Sequence, residues 1–247
     1  HWDKLRRGYD RLINVWGADH AGYVPRVRAA IQAMGRSAED LEVILVQMVN
    51  LLKNGQPVKM GKRSGNFIRL RGLLDEVGKD AVRVFFLMRR NDAMLDFDVD
   101  LAKTQSKDNP VFYVQYGHAR CASILRKAVE EGHARPSFRP EHAQYLTMPE
   151  EIELAKGMLG FPEVVAAAAR TREPHRIVFY IQEVTALFQH YYEAGKRKGE
   201  KVISEDLEKT AARLYLIHCV KQVFANALAL LGVSAPERME RLEEEGE

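Results

Sequence analysis

Cysteine and long apolar runs are both scarce in this sequence. Cys121 and Cys219 are the two cysteines among 247 residues, and both lie in apolar helical patterns. A disulfide-stapled secreted fold is therefore excluded, and a reduced, cytoplasmic setting is favoured. No apolar run approaches the roughly 20 residues that span a bilayer, and no signal-peptide pattern is present, so no membrane partner is expected.

Metal-ligand patterns are lacking as well. The histidines and cysteines show no spacing suited to zinc, and the DFDVD run at 96–100 is not followed by the glycine and the acid of a calcium loop. We therefore predict no metal ligands in this chain. A net charge of +3 and a pI of about 8.8 permit a nucleic-acid partner without requiring one.

Acidic residues are absent between Glu42 and Asp75, where six cations occur. At the centre of this stretch lies PVKMGKRSGN (57–66), with three cations and two glycines. Glycines let a backbone approach a ligand closely, and cations on a loop suit an anion such as a polyphosphate. The segment does not match the P-loop pattern, and a solvated basic hairpin tip is the alternative.

The two halves of the chain differ in hydrophobic periodicity. Apolar β-branched runs at 11–17 and 42–52 flank a helical pattern at 24–35, which predicts part of a parallel α/β sheet. LRGLLDEVG and DAVRVFFLMRR predict two further helices. Beyond about residue 105 the strand patterns disappear, and long helices are predicted at 109–132, 175–195 and 206–232.

These patterns predict a mainly α protein with an α/β N-terminal part. The predicted domains are 1–104 and 105–247, and the second is an all-α helical bundle. In the last helix, six apolar residues form one continuous stripe at helical spacing, as expected of a core helix. They are Ile217, Val220, Phe224, Ala227, Leu228 and Leu231.

A short motif, GADHAGY (17–23), follows directly on the first predicted strand. Ligands in open α/β sheets bind beyond the carboxyl ends of strands, so a site is expected here. Gly17 would admit a flat base or a sugar close to the backbone, and Asp19 could accept hydrogen bonds from ribose hydroxyls. The alternative is a turn at a helix start, with Asp19 near the N-cap.

Together these segments resemble the second half of the catalytic domain of class I aminoacyl-tRNA synthetases. GADHAGY matches the G-x-D motif that contacts adenosine in that family, and KMGKRSGN (59–66) matches its KMSKS loop. DNPVFYVQYGHARCASILRKA (108–128) and LALLGVSAPERM (228–239) are similar to arginyl-tRNA synthetases in particular. The resemblance implies half of a Rossmann-type catalytic domain followed by an all-α, helical-bundle anticodon-binding domain.

The sequence departs from the family pattern in two respects. Gly61 and Arg63 replace the two serines of the KMSKS pattern, although Lys59 and Lys62 remain. No HIGH-type histidine pair occurs, and in the family this motif lies in the first half of the sheet. Since the chain begins at His1, we expect it to be the C-terminal part of a longer arginine–tRNA ligase and to be inactive alone.

The resemblance implies roles for the loop and for the end of the first strand. Arginine attacks the α-phosphate of ATP and pyrophosphate leaves, so Lys62 and Lys59 would act as catalytic residues on the growing negative charge. His20 would lie at the edge of the arginine pocket, and Mg²⁺ is expected to accompany ATP. The implied ATP-binding residues are Gly17, Asp19, Lys59, Met60 and Lys62.

Aromatic residues alternate with cations in the helical half. A projection of the helix at 109–132 puts Tyr113, Tyr116 and Arg120 outside its core face. Tyrosines beside cations can stack splayed bases and hold phosphates, and the family binds the anticodon stem and loop with this domain. The alternative is that the tyrosines lie at the solvent-exposed edge of the hydrophobic core. The predicted tRNA contacts are Tyr113, Tyr116, Arg120, Tyr192, Arg197 and Met239.

The expected partners are arginine tRNA, ATP and arginine, and the expected state is a cytoplasmic monomer. Two other functions stay open. One is a non-catalytic tRNA-binding protein that kept this architecture. The other is a cysteinyl-tRNA synthetase, against which the NPVFYVQY and APERM segments argue.

Overall fold

The structure, a computed structural model, describes residues 1–58 and 68–239. Among these residues, tertiary contacts define two compact units, of which the first contains 1–58 and 89–98 and the second contains 68–88 and 99–239. The mainly α fold with an α/β N-terminal part is confirmed. Contacts thus group 68–88 with the helical half, and the predicted domain division at residue 104 stays a prediction.

The first unit is built on short strands. Its helices are α1 (Trp2–Arg6) and α2 (Val24–Ala33), with 3-10 turns at Ala18–Tyr23 and Ala38–Asp40. Its strands are β1 (Leu12–Gly17), β2 (Leu41–Val46), β3 (Val49–Lys53), β4 (Gln56–Pro57) and β5 (Leu95–Asp98). β1 and β2 pair in parallel from Leu12↔Leu41 to Gly17↔Val46, which confirms the predicted parallel arrangement.

The single strand predicted at 42–52 is wrong. β2 ends at Val46 and β3 begins at Val49 in a different sheet, with strand order β4-β3-β5. The backbone of the two residues between them bonds elsewhere, since Gln47 N donates to Asn91 O at 2.8 Å and Met48 O accepts from Leu95 N at 3.4 Å. The break therefore follows from pairing with a segment more than 40 residues away in sequence.

One face of the β1–β2 pair forms the core of this unit. Leu12 and Leu41 pack with Leu5 and Ile31 in a buried cluster, because alternate residues of a strand point to opposite faces. Ile13 on the other face of β1 is exposed. The strand pair thus fixes the position of the turn that follows Gly17.

The second unit contains helices and a 3-10 turn. The helices are α3 (Leu70–Val77), α4 (Lys79–Leu87), α5 (Val99–Lys103), α6 (Pro110–Glu130), α7 (Pro149–Leu159), α8 (Phe161–Thr171), α9 (His175–Lys198) and α10 (Leu207–Leu231), and the turn is Pro140–Tyr145. The long helices are capped by their own sequence. Asn109 Oδ1 accepts from Val111 N at 3.1 Å, and Asp206 Oδ1 accepts from Lys209 N at 3.0 Å.

Helix α10 is the core helix of the bundle, as its apolar stripe predicted. Ile217, Val220 and Phe224 are fully buried, and the helix packs against α6, α7 and α9. By length and composition alone this helix could also cross a membrane, although it contains no long uninterrupted apolar run. Within the bundle, its polar residues Thr210 and Arg213 are buried as well.

A buried ionic network joins α7, α10 and the loop after α9. Arg213 and Glu151 both have 0% exposed side chains, and Arg213 Nε donates to Glu151 Oε1 at 2.7 Å. The other guanidinium nitrogens donate to Glu200 Oε2 at 2.7 Å and to Lys201 O at 2.9 Å. Glu151 Oε2 also accepts from Met148 N at 2.9 Å, so one carboxylate both pairs a cation and caps α7.

Candidate nucleic-acid interface

A cation–tyrosine cluster lies between α6 and α9, and consists of Tyr116, Arg120, Gln189, Tyr192 and Lys196. The Arg120 guanidinium carbon lies 4.7 Å from the ring centroid of Tyr116 and 4.8 Å from that of Tyr192. Its nitrogens donate to Gln189 Oε1 at 2.5 Å and to Tyr116 Oη at 2.7 Å. Lys196 Nζ lies 5.1 Å from the Tyr192 ring centroid.

Helical spacing builds this cluster from two elements. Tyr116 and Arg120 are four residues apart on α6, so they lie one above the other on the same face. Gln189, Tyr192 and Lys196 likewise share one face of α9. Gln189 was not predicted as a site residue, although its position three residues before Tyr192 indicates that the two side chains share one face of the helix.

The predicted exposure of Tyr116 is wrong. Its side chain is 7% exposed, because α9 packs on that side of α6. A Cβ added at the neighbouring Gly117 would lie 3.2 Å from the Phe224 ring and 3.3 Å from the Thr185 methyl carbon, which shows how closely the helices approach. Tyr116 therefore lies at the edge of the core, where it contacts Arg120, and its ring is not accessible for stacking with a base.

Tyr113 and Tyr192 are both partly exposed. Burial raises the pKa of Tyr113, and the nearby carboxylate of Glu193 adds a smaller increase. The hydroxyl therefore stays neutral and can donate a hydrogen bond. Tyr191, beside Tyr192 in sequence, is instead buried in the core. Of the tyrosines on this side of α9, Tyr192 is thus the one that contacts both a cation and solvent.

The C-terminal turn of α9 is basic and contains Lys196, Arg197 and Lys198. Lys198 Nζ lies 2.6 Å from Glu150 Oε1, and this hydrogen bond lowers the pKa of Glu150. Arg197 is exposed, and no ion-pair partner for it is found in the described parts of the chain. Arg197 is therefore the cation of this turn best placed to meet an external anion.

The segment after α10 lies along another face of α6. His118 Nδ1 lies 2.9 Å from Pro236 O, and Arg126 Nη1 donates to Glu237 O at 2.9 Å. Glu237 also pairs with Lys221 at 2.7 Å, which lowers the pKa of the carboxyl group. Met239 is the last described residue of this segment and is partly exposed.

In the first unit, the residues predicted to contact adenosine and arginine follow β1. Gly17 ends the strand, and a Cβ added there would lie 2.5 Å from Asp19 Oδ1, so glycine leaves room for that carboxylate. Asp19 and His20 are exposed, with Asp19 Oδ2 3.6 Å from His20 Nε2. Gly17 is the N-cap of the turn and Asp19 lies in its first turn, so Asp19 is near the N-cap, as the alternative expected.

The remaining predicted residues of the ATP site are Lys59, Met60 and Lys62. All three lie outside the described residues. Within the described ranges, no three His, Cys, Asp or Glu side chains converge as a metal site would require.

The sequence profile of the DALR anticodon binding domain matches residues 114–239. The chain belongs to this family. The DALR domain thus begins within α6 and ends at Met239, so that it contains the cation–tyrosine cluster, the basic turn of α9 and the segment after α10.

Relatives and solved structures extend the similarity beyond the DALR domain. An arginine–tRNA ligase from Anaeromyxobacter sp. (strain K) is 58% identical over 240 residues, which cover 97% of this chain and 40% of that protein. A putative arginyl-tRNA synthetase from Campylobacter jejuni is 33% identical with a TM-score of 0.78, covering 96% of this chain and 50% of that one. The arginyl-tRNA synthetase of Thermus thermophilus is 27% identical with a TM-score of 0.74, covering 93% and 41%.

These similarities confirm the expected resemblance to arginyl-tRNA synthetases. This chain, with its DALR domain, corresponds to their C-terminal part. It spans about 40% of the length of the curated relatives that it matches.

Proposed function

We propose that this chain is part of an arginine–tRNA ligase, which activates arginine with ATP and transfers it to its tRNA. The observation that carries the proposal is 58% identity with an arginine–tRNA ligase over 97% of this chain. In this proposal the DALR domain binds the anticodon stem and loop. The first unit supplies part of the ATP site, and the protein acts as a cytoplasmic monomer.

The exposed turn after β1 supports the ATP assignment. Asp19 and His20 follow the carboxyl end of a parallel strand, which is where α/β sheets bind ligands. Asp19 is proposed to accept hydrogen bonds from the ribose hydroxyls of ATP, and His20 to line the edge of the arginine pocket. A neutral imidazole offers one acceptor, so other residues must carry most of the recognition of the guanidinium group.

Lys59 and Lys62 are proposed to stabilise the negative charge that grows as pyrophosphate leaves. Met60 is proposed to contact ATP beside them. Mg²⁺ usually keeps several waters and binds substrate phosphates with one or two carboxylates, so a converging cage of protein ligands is not required. In this proposal the metal enters with ATP, beside the turn that contains the Asp19 carboxylate.

The bundle supports anticodon binding through its exposed side chains. Tyr192 can stack a base on the part of its ring that solvent reaches, and Arg197 can pair with a phosphate. Arg120 and Tyr113 are proposed to contribute hydrogen bonds at the edge of the same surface, and Met239 an apolar contact. Tyr116 is proposed to act through Arg120, since its ring is covered.

The proposal is tested with the whole purified protein. We expect arginine-dependent exchange of pyrophosphate into ATP, and attachment of arginine to its tRNA. Binding of this tRNA without exchange would favour a non-catalytic tRNA-binding protein, and exchange that depends on cysteine would favour a cysteinyl-tRNA synthetase.

The basic turn of α9 yields the first prediction. Arg197→Gln should reduce the steepness with which tRNA affinity falls as salt is added. The slope of log affinity against log salt concentration should decrease in magnitude by about 0.7–0.9, the amount for one phosphate contact. Base preference should not change. Affinities measured at several salt concentrations test this, with Arg170→Gln as control, because Arg170 is an exposed cation on α8 that pairs with Glu163 at 2.9 Å. Equal slopes for the two variants would contradict the assignment of Arg197.

The second prediction concerns Tyr192. Tyr192→Leu should weaken tRNA binding by about 1–3 kcal/mol, the cost of losing one stacked base, and should leave the salt slope nearly unchanged. Tyr145→Leu, at a partly exposed tyrosine of the 3-10 turn, is the matched control and should bind like the wild type. A Tyr192→Leu variant that also binds like the wild type would assign this ring to the edge of the core.

A further inference from the structure

The bundle contains a cavity on elements other than those of the cation–tyrosine cluster. It lies among the 3-10 turn Pro140–Tyr145, α7 and α10, whereas the cluster lies on α6 and α9. Its volume is about 450 Å³. Sites for small molecules usually measure about 300–1,000 Å³, so the cavity is large enough to hold one.

The wall of this cavity is largely apolar and partly aromatic. Met158, Leu216 and Val223 contribute to it, and Phe138 and Leu159 are exposed by 69% and 79%. The Phe138 and Tyr215 ring centroids are 5.7 Å apart at a tilted angle, which leaves ring surface towards an occupant. Such a wall suits an uncharged ring better than a charged group.

One buried polar side chain in the wall has unused hydrogen-bonding capacity. His142 is buried, and neither of its ring nitrogens has a hydrogen-bond partner in the part of the chain that the structure describes. The nearest carboxylate oxygen, Glu208 Oε2, is 3.6 Å from His142 Nε2. Buried polar groups are nearly always hydrogen-bonded, so this imidazole points to a ligand.

Arg139, an exposed cation, also lines the cavity, and the other polar side chains of the wall are uncharged. Tyr215 and Cys219 are hydrogen-bonded to each other, and burial raises the pKa of the Cys219 thiol, which stays protonated. The part of the wall formed by Tyr215 and Cys219 therefore carries no charge, which suits an uncharged ligand.

We propose that this cavity binds a small, uncharged aromatic molecule that carries one hydrogen-bonding group. The ring lies against the apolar wall beside Phe138, and the polar group bonds to a ring nitrogen of His142. The site is separate from the tRNA contacts proposed above, and the proposed reaction does not require it.

The test uses 2-naphthol and naphthalene as probes of the intact protein, with binding followed by probe fluorescence. Both should bind at one saturable site, and 2-naphthol should bind about tenfold more tightly, because one hydrogen bond is gained. His142→Phe should abolish this preference while naphthalene still binds. His218→Phe is the matched control, since His218 is exposed, lies near Tyr215 and does not line the cavity, and it should keep the preference.

Variants that fill the cavity test the proposal independently of His142. Ala155→Phe should abolish binding of both probes with an unchanged far-ultraviolet circular dichroism spectrum, and Cys219→Phe serves the same purpose if the first variant does not fold. Absence of saturable binding to the wild type would overturn the proposal, as would undiminished binding to a folded filled variant. An unchanged preference in His142→Phe would overturn the role of the imidazole.

Discussion

Replacing Arg213 by methionine is expected to lower the free energy of unfolding of the helical unit by about 3–5 kcal/mol, because a buried carboxylate then loses its cation. The side chain of Glu151 is 0% exposed and pairs with Arg213 at 2.7 Å. Denaturant titration followed by circular dichroism at 222 nm measures this change, since most helices belong to the second unit. Both tryptophans, Trp2 and Trp16, lie in the first unit, so tryptophan fluorescence follows the unfolding of that unit separately.

A double variant distinguishes loss of charge pairing from loss of packing. Arg213→Met/Glu151→Gln should recover part of the stability, because the amide is neutral and its oxygen still accepts from Met148 N. A single Arg213→Met variant that costs less than about 1 kcal/mol would mean that the carboxylate reaches solvent.

The same network makes the stability of this unit depend on pH. Hydrogen bonds from Arg213 and then Lys209 lower the pKa of Glu200. A lowered carboxyl pKa adds stability that is complete above the ordinary value of about 4.3 and is lost as the pH falls below it. The loss of stability on acidification should therefore be smaller in Arg213→Met than in the wild type.

Replacing Lys62 by alanine in the whole protein is expected to lower the rate of arginine activation about 10²–10³-fold, the range for losing one group that stabilises charge in a transition state. The Michaelis constant for ATP should change much less, because the contact strengthens as pyrophosphate leaves. Steady-state pyrophosphate exchange at varied ATP measures both quantities.

Lys53→Ala is the matched control for Lys62→Ala. Lys53 is a cation of the same acid-free stretch, but it lies on β3 and not in the KMSKS-like segment, so its replacement should leave the rate within a few-fold of the wild type. If Lys62→Ala raises only the Michaelis constant, Lys62 binds ATP in the ground state and does not act in the transition state.

Local signals in the sequence were enough to predict the long helices and the parallel strand pair. Asn109 and Asp206 cap α6 and α10, and Gly232 follows α10 in a left-handed conformation, so both helices carry their own boundary signals. The break between β2 and β3 had no such local signal. It depends on hydrogen bonds with Asn91 and Leu95, which sequence spacing does not reveal.

The candidate site was predicted less completely than the fold. Helical projection singled out Arg120, and the neighbouring cations singled out Tyr192. The projection placed Tyr116 outside the core, because one helix alone does not show where α9 packs. Arg213 was not singled out either. A cation on an apolar helix is stable in the core only with partners such as Glu151 and Glu200, and these lie on other elements.

The position of Arg120 between Tyr116 and Tyr192 would make the proposed RNA binding at this surface a competition within the protein. Its guanidinium already covers faces of both rings and bonds to Gln189. A base that stacks on the face of Tyr192 that Arg120 covers must displace this internal ligand, so the free energy gained is the difference between two stacking free energies. A base that stacks there no better than the guanidinium group gains nothing, so the stacking proposed for Tyr192 depends on the part of the ring that solvent reaches.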